Sequence, residues 1–337
     1  MLFQRRLFLA GAGAGAAGLL TTTTLTRPAL AQTIDPAQIS PGTLRELNSV
    51  LGDSSKLNPG VPQVAAAGPK SVLDVAEAID NALQKGTGNQ DAQTLAARAG
   101  LLLSQLTRDN RDGVDFDPAA PQPAAARDIT PAMKTGYKTL FAGAKIQPSA
   151  MPELTRAAKF ILSPSAQARY KDVSAATGVP WYVIGALHYR EANLNFMGHL
   201  HNGDPLLMQT VDVPANRPPR PWLPPGVTDP VELWKRSAID ALGELVAKMA
   251  KYPSSLPTKW TLQGMCFAFE SFNGFGCRDH GINSPYLWNY TNQYTSGGFP
   301  RDHVFSPSYR SKQAGLVAIM VRLQQLDSAD VHIDVEP

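Results

Sequence analysis

The chain has 337 residues, with 31 Lys and Arg against 28 Asp and Glu and a formal net charge of +3. That length suits one large domain or two modest ones. Arg5, Arg6 and Arg27 lie in a stretch without acids, so residues 32–337 carry 28 charges of each sign; this balance gives nucleic-acid binding no support, and no mid-chain apolar run is long enough to span a bilayer.

Residues 1–31 pair Arg5-Arg6 with Leu7-Phe8-Leu9, a weakly hydrophobic Ala/Gly stretch and a small-x-small site at Ala29-Leu30-Ala31. The pattern resembles a bacterial twin-arginine export signal, cleaved after Ala31, which leaves no stable membrane anchor and implies a periplasmic destination. Residues 32–127 read as a low-complexity lead, loosely packed over 32–70. It contains two helices, 71–85 (Val72, Val75, Ile79 and Leu83 inward, Ser71 capping) and 90–107. RDNRDGVDFD (108–117) fails the calcium-loop pattern at both ends and reads as a solvated turn. PAAPQPAAA (118–126) is a linker by composition.

The main domain is expected over 128–327, followed by a frayed acidic tail at 328–337. Helices are predicted over 131–143, 152–162, 164–178, 180–192, 229–251 and 261–273. Ser306-Pro307 reads as cap and first residue of a last helix reaching Leu326. Residues 193–227 are too rich in proline for helix or central strand; at most a short hairpin fits near 195–213. The fold class is mainly α with long loops. If 266–275 is helical, Cys266 and Cys277 lie roughly 16 Å apart along its axis at 1.5 Å per residue, beyond the about 7 Å that a disulfide spans between Cα atoms. Both are expected as thiols.

The functional weight falls on VPWYVIGALHYREANLNFMGHLHNGDPLLMQTVDVP, residues 179–214. Ile184, Leu187 and Glu191 share a helical face. A carboxyl on such an apolar face is partly desolvated, which raises its pKa towards the range a general acid needs. The competing reading is a surface carboxylate at a fraying helix end. The loop downstream offers His199, His201, Asn202, Asp204, Gln209 and Thr210. Asp204 is either a second carboxyl for glycoside chemistry or the Asp of a Gly-Asp-Pro turn. His199, His201 and Asp204 also spell a weak metal pattern; loop histidines bonded to backbone account for it better, so no metal and no cofactor are expected. The amides and aromatics of 269–294, including Glu270, Asn273, Tyr286 and Trp288, suit sugar binding or simply cap the core.

These residues resemble a family. VPWYVIGALHYRE, NFMGHLHNGDPL, TVDVPANRP, SAIDAL, FESFNGFG and SPYLWNYTNQY are similar to bacterial proteins of the lysozyme/lytic-transglycosylase superfamily, over about 130–326. The resemblance implies a lysozyme-like helical domain, acting as a monomer on peptidoglycan glycan strands and cleaving the MurNAc–GlcNAc bond. It implies Glu191 as acid, with Asp204 and Thr210 placing water, and Tyr189, His201, Asn202, Gln209, Glu270, Asn273, Tyr286 and Trp288 as substrate-binding residues. Lytic transglycosylases carry Ser, Gly and Tyr where this chain has Ala192, Leu206 and Phe272, which ranks hydrolysis ahead of the lytic route with its 1,6-anhydro products. A non-catalytic glycan-binding protein of the same fold, or a glycosidase acting on chitin or chitosan, are the other readings.

Overall fold

The computed structural model describes residues 41–57, 71–85, 89–108, 112, 127–223 and 227–337. The export signal, the linker and most of the 108–117 turn lie outside the described residues. Three helices come first: α1 (Pro41–Leu57), α2 (Val72–Leu83) and α3 (Gln90–Arg108). Ser71 caps α2 in a full capping box with Asp74. α1 corrects the reading of 32–70 as loosely packed, because Leu47 and Val50 are fully buried and Leu51 nearly so. Their spacing of three and four residues builds an apolar stripe that packs on α2 and α3.

The following helices are α4 (Pro131–Ala142), α5 (Met151–Ile161), α6 (Pro164–Thr177), α7 (Trp181–Ala192), α8 (Pro230–Ala250) and α9 (Leu262–Asn273). They match the expected spans to within a residue or two, and side-chain caps fix the starts of α4, α8 and α9. Thr130 and Asp229 accept from backbone N–H groups ahead of Pro131 and Pro230. Two one-turn helices follow, α10 (Gly276–Asp279) and α11 (Pro285–Trp288), then a hairpin of β1 (Gly298–Arg301) and β2 (Val304–Ser306), and finally α12 (Leu316–Leu326). The described residues are mainly helical.

α7 is the axis of the molecule. Its first seven residues are apolar all round, and every residue from Trp181 to Arg190 is buried. α5, α6 and α12 pack against it. His188 on α7 is sealed between Phe196 and Trp234. Its Nδ1 meets the Tyr170 hydroxyl at 2.9 Å, and burial pushes its pKa down to about 3, so it is a neutral core residue. One contiguous hydrophobic cluster runs from Leu73, Leu95 and Leu103 through Ile184 to Trp234 and Ile319. The N-terminal helices therefore share a core with the rest.

Two expectations fail, at the last helix and at the tail. The last helix starts at Leu316, ten residues after Ser306, because the intervening chain forms the hairpin edge and then binds buried groups through Tyr309, Ser311 and Gln313. The region 195–213 holds one isolated antiparallel bridge, Gly198 to Pro205, and no named strand, which is within the expectation of at most a short hairpin there. The tail is docked: Val331 is fully buried, and the Glu336 carboxylate accepts from Tyr252, Thr261, Lys134 and Ser255. Cys266 and Cys277 are both buried and form no disulfide.

Candidate active site

Glu191 sits in the last turn of α7, half-buried at a small polar cleft. Ser104, Thr107, Arg108, Asn193, Asn202, Gly203, Asp204 and Asp212 complete its lining. Just past Glu191 the chain reverses through two left-handed residues, Asn193 (φ 50°) and Leu194 (φ 62°). Both are buried, so packing holds this uncommon geometry. Gly203 returns the loop against the same helix end. It has φ 75°, and a Cβ there would lie 2.8 Å from the Glu191 carbonyl oxygen, so only glycine fits.

The Glu191 carboxylate is oriented from behind. Its Oε1 accepts a short hydrogen bond from the buried Tyr286 hydroxyl. The Tyr286 phenol is held neutral: burial first, then the charge of Glu191, raises its pKa well above the ordinary value. Arg190 lies 4.8 Å from the Tyr286 ring centroid and pairs with Asp112, which also accepts from Tyr309 and Ser311. Asp112 is thus a buried anchor, which corrects its reading as part of a solvated turn.

Asp204 faces the same cleft, only 2% exposed. Its Oδ2 accepts from the Val211 and Asp212 amides at 2.7 and 2.9 Å and from the Asn202 side chain at 3.1 Å. Its Oδ1 accepts from Arg108 at 3.1 Å. Burial alone would raise its pKa; the two amides and the guanidinium outweigh burial and bring it below the usual value. Asp204 thus shapes the loop through Oδ2, as the Asp of a Gly-Asp-Pro turn would, and binds Arg108 through Oδ1 where the residue lines the cleft.

The remaining candidates divide by place. Asn202 lines the cleft and Tyr286 touches Glu191. Thr210 and Gln209 brace the loop instead. The Thr210 hydroxyl donates to the Pro214 carbonyl and accepts from the Arg217 amide. The Gln209 amide binds the Asn216 and Pro218 carbonyls. His201 donates to Asp240 at 2.9 Å from a buried ring whose pKa burial lowers to about 4. His199 is also neutral, bonded to Ser237 and to the Met208 carbonyl. Tyr189 donates to Glu153 at 2.5 Å, Glu270 is sealed against Tyr137 and Arg278, and Trp288 is 1% exposed in the core. Asn273 is half-buried at the end of α9 and does not line the cleft. Among the described residues no group of three or more His, Cys, Asp or Glu is arranged to hold a metal ion.

No protein-family model matches the chain, and no curated protein or solved structure does either.

Sequence reasoning missed Arg108, Ser104, Thr107, Asn193 and Asp212 as lining residues. The available signal was the Arg-Asp-Asn-Arg-Asp run directly after a predicted helix, which marks where α3 ends but not what it meets.

Proposed function

We propose that the chain is an exported peptidoglycan glycosidase with a lysozyme-like domain, cleaving the MurNAc–GlcNAc bond with Glu191 as general acid. The observation that carries this reading is the pairing of Glu191 and Asp204 across one polar cleft in unequal environments. Glycoside hydrolysis needs such inequality: one carboxyl gives up a proton while the other stays ionised. Tyr286 occupies Oε1 of Glu191, so the transferable proton belongs on Oε2. That proton passes to the glycosidic oxygen as the C1–O bond breaks. Oδ1 of Asp204 accepts a proton from the attacking water. The export motif at residues 1–31 and the resemblance of 130–326 agree with this substrate and compartment.

One observation favours a second reading. The Asp204 carboxylate is already engaged by loop and guanidinium donors, and a lytic route needs one carboxyl alone, with the sugar's own 6-hydroxyl attacking. Digestion of purified, stem-peptide-bearing peptidoglycan, analysed by mass spectrometry, separates the two. Reducing-end MurNAc products establish hydrolysis, and 1,6-anhydro products establish the lytic route. Absence of products, with the protein sedimenting on the sacculus, would replace both with a non-catalytic glycan-binding role.

A further inference from the structure

The wall of the cleft opposite Glu191 comes from α3, which lies outside the stretch that carries the family resemblance. α3 reaches the site by close backbone approach. A Cβ on Gly100 would lie 2.2 Å from the Met197 Cβ, so the helix lies directly on the loop that follows α7. Asn195 donates to the Gly100 carbonyl and to the Ser104 hydroxyl, and Ser104 donates to the Gly203 carbonyl at 2.8 Å. The helix then ends on Arg108, where a cation is favoured by the helix dipole. The Arg108 guanidinium bridges two carboxylates, Asp204 at 3.1 Å and Asp212 at 3.3 Å.

α3 is not a detachable cover. It shares the main core, and its partner α2 is pinned to α5 and α6 by ion pairs of Asp74 and Glu77 with Arg156 and of Asp80 with Arg169. The guanidinium itself is about half exposed, so it can be replaced without opening a buried hole.

We propose that Arg108 is a positioning residue of the active site: it clamps Asp204 and Asp212 so that Oδ1 of Asp204 is held in place at the cleft that Glu191 also lines, which makes the N-terminal helices an integral part of the catalytic unit. This rests on the hydrolytic reading above. The charged and titratable groups around Asp204 are Arg108 from α3, Asp212 from the loop, Glu191 from α7 and the His199 imidazole. Of these, Arg108 is the cation in contact with it. The clamp explains why a loop aspartate already holding two backbone amides can also serve chemistry. Three donors, the Val211 and Asp212 amides and the Asn202 side chain, fix Oδ2 as structure, while the guanidinium holds Oδ1.

The test compares full-length protein with Arg108→Gln and Arg108→Lys in two readouts. The first is a 13C NMR pH titration of Asp-labelled protein, with Asp204→Asn to assign the resonance. It does not depend on activity. Arg108→Gln should move the Asp204 titration upward, and Arg108→Lys should restore most of the original value. The second is the pH profile of glycan release from purified sacculi. Arg108→Gln should lower kcat by roughly ten- to a hundredfold, the cost of letting a reacting group drift by about an ångström. The acidic limb should rise with the Asp204 titration, and Arg108→Lys should recover part of both. An unmoved Asp204 titration overturns the clamp. So does an Arg108→Gln protein as fast as wild type or faster, which would make Arg108 a plug. If wild-type protein releases no glycan while the NMR shift occurs, the glycosidase reading fails and the clamp on Asp204 stands by itself.

Discussion

Among the described residues four glutamates are each held by a tyrosine hydroxyl, and one of the four opens on the polar cleft. Tyr286 holds Glu191, Tyr137 holds Glu270, Tyr189 and Tyr290 hold Glu153, and Tyr252 holds Glu336. Glu191 and Glu270 make the closest comparison. Both lie in the last turns of buried helices and both take a short bond from a buried phenol. Glu270 is sealed by Arg278, whose guanidinium binds Oε2 at 2.6 Å, and burial still pushes its pKa above the ordinary value. Glu191 instead lies beneath a cleft lined by hydroxyls, amides and two aspartates. The phenol is therefore a general device for burying a carboxyl here, and what distinguishes Glu191 is access to the cleft.

The largest effect expected is at Glu191. Glu191→Gln keeps the shape and the Tyr286 contact but removes the proton donor, so glycan cleavage should fall by about a hundredfold or more. Glu270→Gln should act on stability instead. Losing one member of a buried pair costs several kcal/mol; with a partly open guanidinium the expectation is about 2–4 kcal/mol by denaturant melt. Its rate per folded molecule should match wild type. A Glu270→Gln protein that folds normally but has lost activity would break the comparison.

The other two glutamates sharpen it through pH. The tail carboxylate of Glu336 is buried, but bonds from Lys134, Tyr252 and Thr261 outweigh that burial and depress its pKa from 4.5 to about 2. A depressed value means that the folded state keeps the ion while the unfolded chain takes the proton. Its contribution is present above about pH 4.5 and is lost as pH falls towards 2. Glu336→Gln should therefore cost about 1–3 kcal/mol at neutral pH, shrinking in acid. Glu153 runs the other way. Burial raises it to about 7, against the two phenol bonds. Between about pH 4.5 and 7 the fold holds a proton that the unfolded chain releases, so its stabilisation is full below pH 4.5 and is lost as pH rises through 7. Glu153→Gln should be neutral at pH 5 and stabilising by on the order of 1 kcal/mol at pH 8 in thermal melts at both pH values.

Local chemistry made much of this architecture readable. Ser71, Thr130 and Asp229 are capping residues, and Pro131, Pro164 and Pro230 preset the first helical turn, so α2, α4, α6 and α8 announce their own starts. The apolar α7 and its carboxyl were legible for the same reason. What was not legible depends on distant partners. Ser306-Pro307 carries a good helix-start signal, but Tyr309 and Ser311 are needed by Asp112, nearly two hundred positions upstream. Glu336 looks like a frayed tail until Lys134, Tyr252 and Thr261 are seen around it. Arg108 sits in an ordinary-looking charge run, and only the tertiary fold brings it to Asp204.

The most direct measurement is release of soluble glycan fragments from purified sacculi by wild type, Glu191→Gln and Glu270→Gln at equal folded concentration. The account predicts release by wild type and Glu270→Gln and essentially none by Glu191→Gln. Undiminished release by Glu191→Gln would contradict the assignment of the cleft as the site of chemistry.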